Sequence, residues 1–114
     1  MLKDIFFSVV IPALNEEAYL PKLLSDFAKQ KRKNFEIIIV DAGSEDKTEE
    51  KSLKFSKYFP LKFVLGGKPN VSFQRNLGAQ KANGQFLIFL DADARVNTMF
   101  TRNLYINIFK KKGL

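Results

Sequence analysis

The chain has no cysteine and no histidine. The first absence excludes disulfides and thiolate metal sites and is compatible with a reducing compartment. The second leaves catalysis and metal binding to carboxylates or other groups. No apolar run approaches the ~18 residues of a membrane-spanning helix. The opening segment, MLKDIFFSVVIPALNEE, holds a short apolar run with little basic charge before it and acids directly after it. It reads as a first strand rather than a signal peptide. No Gly-x-Gly-x-x-Gly loop and no Walker Lys-Ser/Thr occurs, so neither a dinucleotide site nor a P-loop is indicated. There is no internal repeat, low-complexity stretch or linker.

What is present fits one compact domain. The chain has 114 residues, the length of one domain and not two. Its 46% hydrophobic content is that of a globular protein rather than a disordered one. The net charge is +7, from 19 Lys+Arg against 12 Asp+Glu. Much of the excess lies in Lys29, Lys31, Arg32 and Lys33, and in Lys110, Lys111 and Lys112. Such clusters attract anionic lipid head groups, nucleotides or nucleic acid. They are equally what solvated helix C-termini carry. No motif that reads nucleic acid accompanies them, so nucleic acid is not an expected partner.

The hydrophobic pattern alternates between two periods. Phe6 to Ile11 is a buried-strand run closed by Pro12. Asn15-Glu16-Glu17 reads as a helix start, and Leu20, Leu23, Leu24 and Phe27 recur at helical spacing until the basic run near residue 32. Phe35 to Val40 is a second strand. Ser44 or Asp46 caps a second helix, carried by Leu53, Phe55 and Phe59 up to Pro60. Leu61 to Leu65 is a third strand. Asn70 or Ser72 opens a third helix, with Phe73, Leu77 and Ala82 on one side and Gly84 past its end. Phe86 to Leu90 is a fourth strand, and residues 98–112 form a last helix. The order predicts a three-layer α/β/α domain, a mostly parallel sheet with helices on both faces. In such sheets ligands bind beyond the carboxyl ends of the strands.

Acids gather at that edge. Strand one runs into Pro12-Ala13-Leu14-Asn15-Glu16, strand two ends at Asp41, and strand four at Asp91-Ala92-Asp93. If the chain stays extended past Leu90, Asp91 and Asp93 face one crevice. Two hard oxygen ligands there suit Mg²⁺ or Mn²⁺, with water and phosphate oxygens completing the shell. Asp-x-Asp is also an ordinary turn, with Asp93 capping the next segment. Asp41 either accepts a hydrogen bond from a base N–H or ribose hydroxyl, or serves the turn before Gly43. Arg75 pairs with Asp41, reaches a phosphate, or stays on the surface. Gly78 allows close helix packing.

VVIPALNEE, IIIVDAGSEDKT and QRNLGAQKANGQFLIFLDADA, in that order, resemble the nucleotide-binding half of family 2 glycosyltransferases, which have the GT-A fold. The resemblance covers residues 6–97. It implies that the loop of Pro12, Ala13, Asn15 and Glu16 borders the base and ribose. Asp41, with Gly43 in the same motif, would read the base, typically uracil, and Arg75 would support that pocket. Asp91 would lie near ribose and metal, and Asp93 would ligate Mg²⁺ or Mn²⁺ beside the pyrophosphate. Ala42 departs from the family's usual Asp-Asp-Gly-Ser. No acid follows Asp93, so the general base of inverting members has no counterpart here.

The expectation is therefore a single truncated domain, 1–114, that supplies the donor site while the acceptor half is absent. Its partner is a nucleoside-diphosphate sugar, UDP- or GDP-linked. The acceptor is unknown, with lipid-linked and polysaccharide acceptors both in view. The expected location is the cytoplasm, with contact at the cytoplasmic face of the membrane and self-association through an uncovered sheet edge left open. The final helix is expected to expose an apolar face. The alternative is a nucleotide-binding or assembly module without catalysis. A nucleotidyltransferase is disfavoured, because PALNEE lacks the Gly-rich basic loop.

Overall fold

The computed structural model describes residues 5–111. Residues 1–4 of the opening segment and Lys112 of the basic run lie outside the described residues. Four strands, β1 (Phe7–Ala13), β2 (Phe35–Asp41), β3 (Leu61–Leu65) and β4 (Phe86–Phe89), form one parallel sheet in the order β3-β2-β1-β4. The register sets Val9 beside Ile37 and Ile88. β1 and β2 are central and almost wholly buried, which is why both read as unbroken apolar runs.

Alternation assigns the faces. Phe7, Val9 and Ile11 with Phe35, Ile37 and Ile39 face one side and form the main core with Leu20, Leu23, Leu24 and Phe27 of α1 (Leu20–Ala28). Full burial of each such side chain contributes about 1.5–3 kcal/mol. α2 (Thr48–Leu53) runs into a 3₁₀ segment (Lys54–Lys57) beside the same core. Val10, Ile38 and Val40 face the other side, with Leu77 of α3 (Val71–Gln80) and Ala82 packed on them. α4 (Phe100–Lys111) returns to the main core through Phe100, Leu104, Tyr105 and Ile108. Those residues are half-buried, so part of the α4 apolar face stays open to solvent. Among the described residues no helix is long and apolar enough to cross a membrane.

The topology creates a crevice. β1, β2 and β3 follow one another in one direction, with α1 and α2 on one face. α3 then returns over the opposite face and sets β4 beside β1. Right-handed crossovers require this change of face when the direction reverses. The chains leaving β1 and β4 therefore diverge, and a ligand crevice opens between them.

Several boundaries differ from the expectation. α1 starts at Leu20, not near Asn15, because Asn15 takes a left-handed φ of 55° that a helix does not admit. α1 also stops at Ala28, before the basic run. In α2 the inward residues are Thr48 and Ser52, while Leu53 is exposed. In α3, Phe73 is exposed and the sheet-facing positions are Gln74 and Gly78. Gly78 is needed there, since a Cβ would lie 2.3 Å from Val10 Cγ1.

Candidate functional site

A cavity of about 300 Å³ opens at the crevice. The β1 exit contributes Pro12, Ala13, Leu14 and Glu16. The start of α3 contributes Pro69, Val71 and Gln74, and the β4 exit Asp91, Ala92 and Asp93. α3 begins at this cavity, so the positive end of its dipole favours an anion there.

The β1 exit is a rigid shelf fastened to the β2 exit. Asn15 N–H donates to Ser44 Oγ at 2.7 Å, and Asn15 Oδ1 accepts from Glu45 N–H at 2.8 Å. Glu16 N–H donates to Thr48 Oγ1 at 2.8 Å, and Glu17 N–H to Asp46 Oδ2 at 3.2 Å. Asn15 thus serves the loop–loop contact and does not line the cavity.

Asp41 is buried, and its carboxylate is engaged by its own turn. It accepts from Gly43 N–H at 3.1 Å, Ser44 N–H at 2.8 Å and Ser44 Oγ at 2.5 Å. Gly43 permits that turn with a φ of 100°. Neither Asp41 nor Gly43 lines the cavity. The geometry is that of the turn residue, one of the two readings open from sequence. Arg75 does not pair with Asp41. Its Nη2 lies 3.9 Å from Asp91 Oδ1, with both side chains well exposed, a pairing that contributes little to stability.

β4 ends at Phe89, and the chain does not stay extended. Ala94 N–H donates to Asp91 O at 3.0 Å and closes a turn over Asp91-Ala92-Asp93. The buried Ala92 anchors that turn, and both aspartates still border the cavity. The next segment is pinned to α1. Arg95 grips Asp26 with two bonds, Nε–Oδ2 2.6 Å and Nη2–Oδ1 2.9 Å, and Val96 N–H donates to the same carboxylate at 3.1 Å. The Arg95 bond, against the effect of burial, holds Asp26 below its ordinary range, helped by Val96. Gln30 Nε2 adds a bond to Asn97 O at 2.6 Å.

The cavity is negative. Burial raises the pKa of Glu16, and Asp93, Asp46 and Asp91 raise it further. Acids clustered in this way suit a cation. Among the described residues no three Asp, Glu, His or Cys side chains form a metal shell by themselves. Asp91 and Asp93 supply two hard oxygen donors, which fit Mg²⁺ or Mn²⁺ when diphosphate oxygens and water complete the coordination.

Of the residues singled out from sequence, Pro12, Ala13, Glu16, Asp91 and Asp93 meet at the cavity, Arg75 stands beside Asp91, and Asn15, Asp41 and Gly43 form the supporting turns. Gln74, Pro69 and Val71 were missed. Gln74 carried a signal: it lies four residues before Gly78, a polar side chain on the face that packs on the sheet. The Asp26–Arg95 clasp had none, since its partners stand 69 residues apart.

These features define a class, a doubly wound α/β fold whose switch-point cavity is bounded by carboxylates and a helix N-terminus. The model of glycosyl transferase family 2 matches residues 8–110, and the chain belongs to that family. It is 36% identical over 100 residues to the dolichyl-phosphate beta-glucosyltransferase ALG5A of Trichomonas vaginalis, which spans 79% of this chain and 31% of that protein. The fold is of the GT-A type. The structure of Staphylococcus aureus TarS 1–349 in complex with UDP superposes with a TM-score of 0.86 at 31% identity, covering 93% of this chain and 32% of that one. TarS 1–349 has also been solved with UDP-GlcNAc. Glucosyl-3-phosphoglycerate synthase of Mycobacterium tuberculosis, solved with Mn²⁺, UDP and glucosyl-3-phosphoglycerate, has a TM-score of 0.64 at 26% identity, covering 86% of this chain and 37% of that one. The chain spans about a third of the length of these relatives.

Proposed function

We propose that this chain binds a nucleoside-diphosphate sugar, with UDP as the nucleotide, and supplies the donor side of an inverting glycosyl transfer. The observation that supports this most is the meeting of the β1 exit, the α3 N-terminus and the Asp91–Asp93 turn on one cavity. The base and ribose lie against Pro12–Glu16, over the turn that Asp41 organises. The diphosphate lies between the α3 N-terminus and Asp91 and Asp93. Arg75, lightly held by Asp91, is placed to swing to a phosphate oxygen.

Asp91 and Asp93 would hold Mg²⁺ or Mn²⁺. Such an ion supplies charge neutralisation for a departing nucleoside diphosphate. TarS 1–349 has been solved with UDP, and glucosyl-3-phosphoglycerate synthase with UDP and Mn²⁺, and that supports both parts of the reading. No acceptor-binding or general-base role is assigned within residues 1–114, where no acid follows Asp93.

Calorimetric titration with UDP, GDP and their sugars, with and without Mn²⁺, tests the reading. One nucleotide is expected to bind in a Mn²⁺-dependent way, and Asp93→Asn, which replaces a charged oxygen donor by a neutral amide, is expected to weaken that binding and its Mn²⁺ dependence. Binding that ignores both Mn²⁺ and the substitution would favour a nucleotide-binding module without catalysis.

A further inference from the structure

The pairing of β1 with β2 ends at Ala13 and Asp41. At that end Ala13 O accepts from Ala42 N–H at 3.0 Å, and each buried carbonyl there keeps a second lone pair for a further donor. One side chain meets two of them. Gln74 is 3% exposed, and its Nε2 donates to Val40 O at 2.8 Å and to Ala13 O at 3.2 Å. Two facing acceptors fix which way the amide stands. The same residue lines the cavity. The β3 exit is held against it as well: a Cβ on Gly66 would sit 3.6 Å from Gln74 Cγ, and Gly66 N–H donates to Asp41 O at 2.6 Å.

We propose that Gln74 is the positioning residue that sets the width of the nucleoside slot and thereby selects the base. Together with the bond from Ala42 N–H to Ala13 O, it holds Ala13, a wall of the cavity, against Val40, the residue before the Asp41 turn. It acts through those residues and touches neither diphosphate nor metal. The proposal rests on the donor-site reading above. An amide buried for packing alone would fail differently on removal: stability would fall and every nucleotide would weaken alike.

The test compares the chain with Gln74→Met and Gln74→Glu by titration with UDP, GDP and ADP in Mn²⁺, alongside thermal melts. Met keeps the length and removes the donor. Its Kd for the preferred nucleotide is expected to rise by roughly tenfold, with preference among bases lost and Mn²⁺ dependence kept. In Gln74→Glu the side chain can donate only when protonated, and burial favours that form. Its affinity is therefore expected to recover as the pH is lowered from about 8 to about 5. Unchanged preference in the Met variant, or a uniform loss for all nucleotides that tracks the melt, would overturn the proposal. Should neither variant fold, the Gln74 side-chain NH₂ resonances of the unsubstituted chain decide. They are expected to shift on addition of UDP with Mn²⁺, and resonances that stay still overturn the proposal. If the unsubstituted chain binds no nucleoside diphosphate, the donor-site reading fails and this proposal with it. Binding that is indifferent to Gln74 removes this proposal alone.

Discussion

Glu16 faces Asp91 and Asp93 across one cavity, and its carboxyl is held above its ordinary value of 4.5 first by burial and then by Asp93, Asp46 and Asp91. A carboxyl whose folded pKa is raised costs stability once ionised. That cost is absent below the unfolded pKa and grows as pH rises through the folded one. Glu16→Gln is therefore expected to melt higher than the unsubstituted chain at neutral pH, with the gap closing below pH 4.5. Equal melts at both pH values would contradict the account of the cluster. Gly78 gives a second test, since its absent Cβ would stand 2.3 Å from Val10 Cγ1 and 3.1 Å from Val40 Cγ2. Gly78→Ala is expected to lower the unfolding free energy by about 1–3 kcal/mol through overpacking, read from urea midpoints. At this scale the sequence disclosed what is local. Asp91 and Asp93 directly follow an apolar strand at the carboxyl edge of the sheet, so their place at the crevice was legible, though a turn and not an extended chain brings them there. The turn role of Asp41 before Gly43 was likewise one of its two local readings, whereas the turning of Arg75 to Asp91 and the amide of Gln74 depend on neighbours that meet only after folding.

Elements were legible in order and type, because a buried parallel strand must be continuously apolar and a covering helix must repeat every three or four residues. Their ends were less so. The cap of α3 was readable: Asn70 Oδ1 accepts from Phe73 N–H at 2.9 Å, as a helix-starting Asn should. Asn70→Ala is expected to cost about 1 kcal/mol, measurable by denaturant unfolding. The delayed start of α1 was not readable, because the left-handed Asn15 is held by partners on the β2 exit. The segment after Asp93 gives a prediction of its own. Its hold on α1 is the Asp26 carboxylate, which serves Arg95 and Val96 N–H together. Asp26→Ala is expected to speed amide hydrogen exchange across residues 94–97 and to leave β1 and β2 protected. Unaltered exchange there would show that the turn of Asp91-Ala92-Asp93 needs no such support.

The whole molecule combines a double-sided core with a second polar anchor at the opposite edge of the sheet. Glu36, buried in β2, accepts from Ser8 Oγ at 2.7 Å and Asn83 N–H at 2.6 Å, with Lys62 Nζ at 3.3 Å. Burial works to raise its pKa, but these partners outweigh it and hold the carboxyl below 4.5. Asp26 is likewise held below 3.8. Lowered folded pKa values stabilise above the unfolded values, and that stability is lost as pH falls through the folded ones. Chain stability, followed by circular dichroism, is therefore expected to decline as pH drops below 4.5, and Glu36→Gln should flatten that decline. The α/β layering was legible from sequence. The strand order β3-β2-β1-β4 was not, since nothing in an apolar run says which neighbour it takes. Leu87 and Phe89, on the edge strand β4, remain exposed on the face that α3 covers mainly over β1 and β2. A crystal structure of the chain with UDP and Mn²⁺ tests the central claim most directly. The account predicts the diphosphate between the α3 N-terminus and the Asp91–Asp93 turn, with Mn²⁺ on Asp93 and the base against Pro12–Glu16. A nucleotide seated elsewhere, or Mn²⁺ held by other residues, would contradict it.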